Sequence, residues 1–95
     1  MKHYVLLKFK PGYFNDEILA YTKSVFGKIG RLDDIEVVKV CSNCIDRDLN
    51  MDIMIEMKVS DEKSLESYLN HELHISFVNT VNNHLISKVS FDCEY

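Results

Sequence analysis

The sequence predicts an α+β domain, a four-stranded antiparallel sheet with two helices on one face, and three observations lead there. Three short segments alternate polar and apolar residues with the period of a strand, and a fourth is rich in β-branched residues. Two longer ones repeat apolar residues at helical spacing, and the six follow one another as strand, helix, strand, strand, helix, strand. Ninety-five residues, 46% hydrophobic and 27% charged, suffice for one core and are too few for two. Residues 1–95 are therefore expected to form a single domain.

Each element has its own signature. In residues 3–10, His3, Val5, Leu7 and Phe9 fall on one face and Tyr4, Leu6, Lys8 and Lys10 on the other, the alternation of a strand. Pro11-Gly12 ends it, and Asn15 is placed to cap a helix whose first turn carries Asp16 and Glu17, where the dipole favours negative charge. Ile18, Tyr21, Val25, Phe26 and Ile29 give that helix an apolar stripe, and Gly30 offers a left-handed stop. The β-branched run 35–41 is a second strand, followed by a polar loop over 42–50. Residues 51–59 alternate most cleanly of all, with Met51, Ile53, Ile55, Met57 and Val59 on one side. Ser60 is the expected cap of the second helix, where Leu65, Tyr68 and Leu69 face inward. A jog at 71–74 precedes a continued stripe of His74, Phe77, Val78, Val81 and Leu85. In residues 86–93, Val89, Phe91 and Cys93 alternate with Lys88, Ser90 and Asp92, making a fourth strand. The order βαββαβ is that of a ferredoxin-like sandwich. Its second sheet face is expected to carry Tyr4, Leu6, Val38, Val40 and Met54, too apolar to stay in water, and a homodimer through paired sheet faces would cover it.

Composition excludes several partners. The net charge of −4 removes the attraction that nucleic acids and anionic membranes exert on basic proteins. Apolar runs such as 4–7 fall far short of the 18 to 20 residues, roughly, that span a bilayer. The amino terminus enters a strand at once, without a signal-like hydrophobic region, and three cysteines are an odd number for a disulfide framework. Reduced thiols and a cytoplasmic location are expected.

Three polar residues stand in apolar slots: His3 on the inner face of the first strand, and Tyr68 and His74 on the inner stripe of the second helix. A buried polar group costs about 1 to 3 kcal/mol unless it finds a partner, so these side chains should bond one another, water or a ligand. Imidazole titrates near neutrality and accepts protons. A phenol, titrating near pH 10, stays a donor able to stabilise enolate charge. A cofactor-free acid-base site between helices and sheet predicts a hollow of about 300 Å³ or more. A trio that only satisfies itself predicts a filled core.

Around these residues, the opening Lys2-His3-Tyr4-Val5-Leu6-Leu7-Lys8-Phe9-Lys10-Pro11-Gly12 and the stretch Tyr68-Leu69-Asn70-His71-Glu72-Leu73-His74-Ile75-Ser76-Phe77 resemble the two signatures of the stress-responsive A/B barrel, or Dabb, family. The resemblance spans nearly the whole chain and implies a dimeric α/β barrel. Relatives similar to plant olivetolic acid cyclase close a linear polyketide by aldol condensation with neither metal nor organic cofactor. By resemblance to them, His74 would be the base, Tyr68 a donor to a carbonyl or to His74, and His3 an orienting group. Other members have no assigned reaction, and the resemblance to them implies a non-catalytic dimeric binding or stress-associated protein of unassigned role, one that could take a small hydrophobic or carbonyl-containing ligand. One departure is Glu72, where the family often has a helix-breaking proline after the first histidine.

Other motifs carry less chemistry. Cys41-Ser42-Asn43-Cys44 has CxxC spacing, yet it lies between a strand and a polar loop rather than at a helix start, and a second CxxC for zinc is missing. The favoured reading is two ordinary thiols. His71 and His74 are three residues apart and could hold a metal only with a nearby carboxylate. Neither a metal nor a cofactor is therefore expected. His84 reads as a solvent-facing or C-terminal helix residue, and Asp46-Arg47-Asp48 as a solvated loop.

Overall fold

The computed structural model describes residues 1–94. Its elements are β1 (Lys2–Phe9), α1 (Asp16–Ile29), β2 (Ile35–Ser42), β3 (Ile53–Val59), α2 (Glu62–Leu69), α3 (Glu72–Val81), a single 3-10 turn (Asn82–His84) and β4 (Leu85–Cys93). The strands form one antiparallel sheet in the order β2-β3-β1-β4. This is the βαββαβ sandwich expected, with the helix count raised by a break in the second helix.

The inner faces of β1 and β3 follow their alternation without exception. His3, Val5, Leu7 and Phe9 are buried, as are Ile53, Ile55, Met57 and Val59, and Phe26, Ile29, Phe77 and Val81 from the helices close over them. Thr22 is also fully buried. Its hydroxyl donates to the Ile18 carbonyl at 2.8 Å, which lets a polar residue occupy the middle of the α1 stripe.

Several local expectations are corrected. β3 begins at Ile53, because Asp52 is drawn off to bond β1: its carboxylate accepts from the Phe9 N–H at 2.8 Å, and its own N–H reaches the Leu7 carbonyl. Gly30 caps α1 in the right-handed region, φ −65°. A side chain there would stand 3.4 Å from Val37, so the glycine serves close approach of α1 to β2. The left-handed turn residue is Asp34, φ 66°. Val40 is not on the outer face. A bulge between Val37 and Lys39 restarts the alternation, so Val40 pairs with Ile55 on the inner side and Val38 is left at the irregularity. Leu85 starts β4 rather than ending a helix.

The cap of α2 is Asp61, whose carboxylate accepts from the Ser64 N–H at 2.8 Å, whereas the Ser60 hydroxyl donates to Asp34. Asp61→Ala should therefore lower the urea midpoint measurably, and Ser60→Ala much less. A reversed order would return the cap to Ser60.

β4 is an edge strand turned opposite to what its composition favours. Lys88, Ser90 and Asp92 pair with Leu7, Val5 and His3 on the helix side of the sheet. Val89 and Phe91 oppose Leu6 and Tyr4 on the outer side, where they are 47% and 63% exposed. The polar residues stay wet despite their inward phase, because the helices cover β1 and β3 and leave β4 open. Among the described residues, no helix is long and apolar enough to cross a membrane.

Candidate functional site

The first contributor is β1. His3 is 4% exposed, and its Nδ1 lies 2.5 Å from the Asp92 carboxylate on β4, to which it donates. Its ring meets Tyr68 edge-on, with centroids 6.2 Å apart.

The second helix delivers the other two, through a device the sequence did not announce. His71 adopts extended backbone angles, φ −72° and ψ 144°, and its Nδ1 accepts from the Leu73 N–H at 3.1 Å. It thereby caps α3 and does the helix-breaking that a proline would otherwise do. The chain turns there, and the His74 ring folds back over Tyr68, centroids 4.7 Å apart. His74 Nδ1 lies 3.0 Å from the Leu69 carbonyl. A carbonyl only accepts, so Nδ1 carries the hydrogen and the neutral ring presents Nε2 as its basic nitrogen.

Both helix residues are electrically tuned by position. Burial pushes the His74 imidazolium pKa below the usual histidine value. The nearby Lys88 and His3 act in the same direction, against the Leu69 carbonyl. Burial also pushes the Tyr68 phenol well above the ordinary tyrosine range. A neutral base thus stands against a phenol that stays protonated.

Tyr68 and His74 line a hollow between the helix layer and the sheet, with Leu7 and Ile55 on its floor and Val78, Asn82 and Lys88 toward its rim. Its free space is about 10 Å³, room for roughly one water molecule, so the expected 300 Å³ hollow is not open in this conformation. Nor is the trio self-satisfied. Among the described residues, neither the Tyr68 hydroxyl nor His74 Nε2 has a protein hydrogen-bond partner, and no unpartnered polar side-chain atom is sealed from solvent. His3 stands behind Tyr68 rather than on the cavity wall.

The remaining sequence candidates lie elsewhere. Cys41 sits opposite Met54 on the outer face, Cys44 is exposed in the loop, and both thiols are free. His84 stacks on Tyr13 with centroids 4.6 Å apart. Sequence reasoning missed Asp92 and Lys88. Their signal was present as a polar row in β4, but only cross-strand register shows which side of the sheet that row faces.

Comparison with known proteins bears on the same arrangement. The profile of the stress-responsive A/B barrel domain family matches residues 1–95. No curated protein sequence matches the chain. Among solved structures, a dimeric ferredoxin-like protein of unknown function from Thermobifida fusca superposes with a TM-score of 0.79 at 12% identity, covering 95% of this chain and 85% of that one. A Dabb family protein from Mesorhizobium loti gives 0.74 at 15% identity, covering 99% and 94%. A hydroxynitrile lyase from Passiflora edulis gives 0.75 at 11% identity, covering 95% and 87%. At such identities the likeness is one of fold.

Proposed function

The chain belongs to the stress-responsive A/B barrel domain family, and from that premise we propose that it is a cytoplasmic homodimer that binds a small hydrophobic, carbonyl-containing molecule between its helices and its sheet. The observation that carries this reading is that Tyr68 and His74, whose hydroxyl and Nε2 have no hydrogen-bond partner among the described residues, line one largely apolar hollow. The present volume has room for about one water molecule. A ligand carbonyl would accept the Tyr68 hydrogen, and its entry requires the rim between α3 and β4 to spread, where Asn82 and Lys88 are exposed.

The tautomer of His74 favours a second, catalytic reading: a cofactor-free lyase or cyclase. With Nδ1–H tied to Leu69, the free Nε2 is placed to take a proton from the carbon beside a carbonyl. Tyr68 would donate to the enolate oxygen as charge develops there, and the His3–Asp92 pair would hold the Tyr68 ring from behind. A hydroxynitrile lyase of the same fold is consistent with that chemistry and does not identify the substrate.

The dimer rests on the outer sheet face, where Tyr4, Leu6, Met54, Val89 and Phe91 form an apolar surface with the Lys2–Glu56 ion pair, 2.9 Å long, beside it. The Thermobifida fusca neighbour is described as dimeric.

Thermal unfolding with the neutral keto ester methyl 4-oxo-4-phenylbutanoate tests the site. At 100 times its dissociation constant a ligand adds about 2.7 kcal/mol. Stabilisation of the wild type and a clearly smaller shift in Tyr68→Phe, which lacks the donor to the carbonyl, are expected, and equal shifts in both proteins would place binding elsewhere.

A further inference from the structure

The cavity rim carries a cation with no ion pair among the described residues. Lys88 reaches the hollow from the helix-facing side of β4, opposite Leu7, and among the described residues it is the only lining one with a formal charge at neutral pH while His74 is neutral. No carboxylate lines the cavity, and Lys88 forms no ion pair among the described residues. The acidic group nearest along the same strand is Asp92, four residues on and about 13 Å away along the backbone, and it is engaged by His3. Asn82, exposed on the same rim, adds an amide donor. Below these two groups the walls are apolar until Tyr68 and His74.

We propose that Lys88 selects ligands that carry an anion as well as a carbonyl: hydrophobic oxo acids, bound with the carboxylate at the rim on Lys88 and Asn82 and the carbonyl inside against Tyr68 and His74. This rests on the ligand-binding reading of the same cavity and names its substrate class. An ammonium at the edge of a low-dielectric hollow holds a carboxylate more strongly than one in open water, since fewer solvent dipoles screen the pair. The four-carbon lysine stem spans the gap between the sheet and the rim while keeping its charge there. With the anion fixed outside, the hydrophobic part of the ligand has one direction in which to lie, so Lys88 also orients the carbonyl toward the base.

The test compares 4-oxo-4-phenylbutanoate with its methyl ester, by calorimetry, on wild type, Lys88→Met and Lys88→Arg. The acid should bind wild type about tenfold more tightly than the ester, with an advantage that shrinks as salt is raised from 0.01 to 0.5 M. Lys88→Met should bring the acid down to the level of the ester and leave the ester unchanged, and Lys88→Arg should keep most of the advantage. Equal binding of acid and ester to wild type overturns the role of Lys88 while leaving the cavity assignment intact. An acid advantage that survives in Lys88→Met overturns it too, by moving the anion to another cation. Failure of both compounds to bind any of the three proteins overturns the cavity assignment and this proposal together. Lys88 is exposed and forms no ion pair among the described residues, so the substitutions should leave the fold undisturbed, which unchanged melting temperatures without ligand would check.

Discussion

Replacing His74 with glutamine is expected to slow exchange of the α-keto methylene protons of methyl 4-oxo-4-phenylbutanoate for solvent deuterium by about 10²- to 10⁴-fold at saturating ligand, the range a positioned general base contributes. Glutamine keeps an amide that can donate to the Leu69 carbonyl but offers no basic nitrogen. The loss should therefore fall on the rate and spare binding. Tyr68→Phe should also slow exchange, because the enolate oxygen loses its donor. Wild-type exchange no faster than buffer would remove the catalytic reading and leave binding alone.

The pH dependence follows from the direction of the His74 shift. Its folded pKa lies below the ordinary 6.5, so the ring remains a neutral base at pH 6.5 and the acid limb of the rate profile should lie below that value. Linkage gives the matching sign for stability. The unfolded chain takes up the proton first, so the contribution of this group is fully present above pH 6.5. It declines as pH falls from there through the folded pKa. Half-exposure of the ring keeps the effect modest. Subtracting the stability curve of His74→Gln from that of the wild type isolates it, and a difference that grew as pH fell would contradict the direction.

A second large effect is expected on the other side of the sheet. Phe91→Asp places a carboxylate on the apolar outer surface, beside Tyr4 in the β1–β4 register. If that surface is the seam between two copies, association should weaken at least about 100-fold, since an aromatic anchor is lost and a charge is desolvated. Sedimentation velocity would then move from a particle of twice the 11.1 kDa chain mass to one of a single chain. Circular dichroism should not change, because Phe91 is 63% exposed in the protomer and contributes little to its core. A variant that stays dimeric would put the seam elsewhere, and a wild type that sediments as one chain would remove the dimer.

Much of the site was legible before any coordinates. His3 could be placed in the core from the alternation of 3–10, because a strand with both neighbours paired has no freedom to turn one residue out. Tyr68 and His74 followed from helical spacing in the same way. His71 was harder to read: helix breaking is associated with proline, and a histidine ring nitrogen capping the next helix leaves no periodic trace. β2 misled, and the sides of β4 stayed unassigned, for a related reason. One extra residue at Val38 inverts the side on which Val40 lies, and the outward turn of Val89 and Phe91 makes sense only if something covers them.

The sequence alone determined the order of elements, the inner faces of β1 and β3 and the identity of the polar trio, because each depends on a period confined to one segment. Only the tertiary structure decided that His74 engages Leu69 through Nδ1, that His3 stands behind Tyr68, and that Lys88 reaches the rim of the cavity. Those facts depend on the register between strands distant in sequence and on a carbonyl one turn away accepting a particular ring hydrogen, and neither is written in the pattern of any single segment.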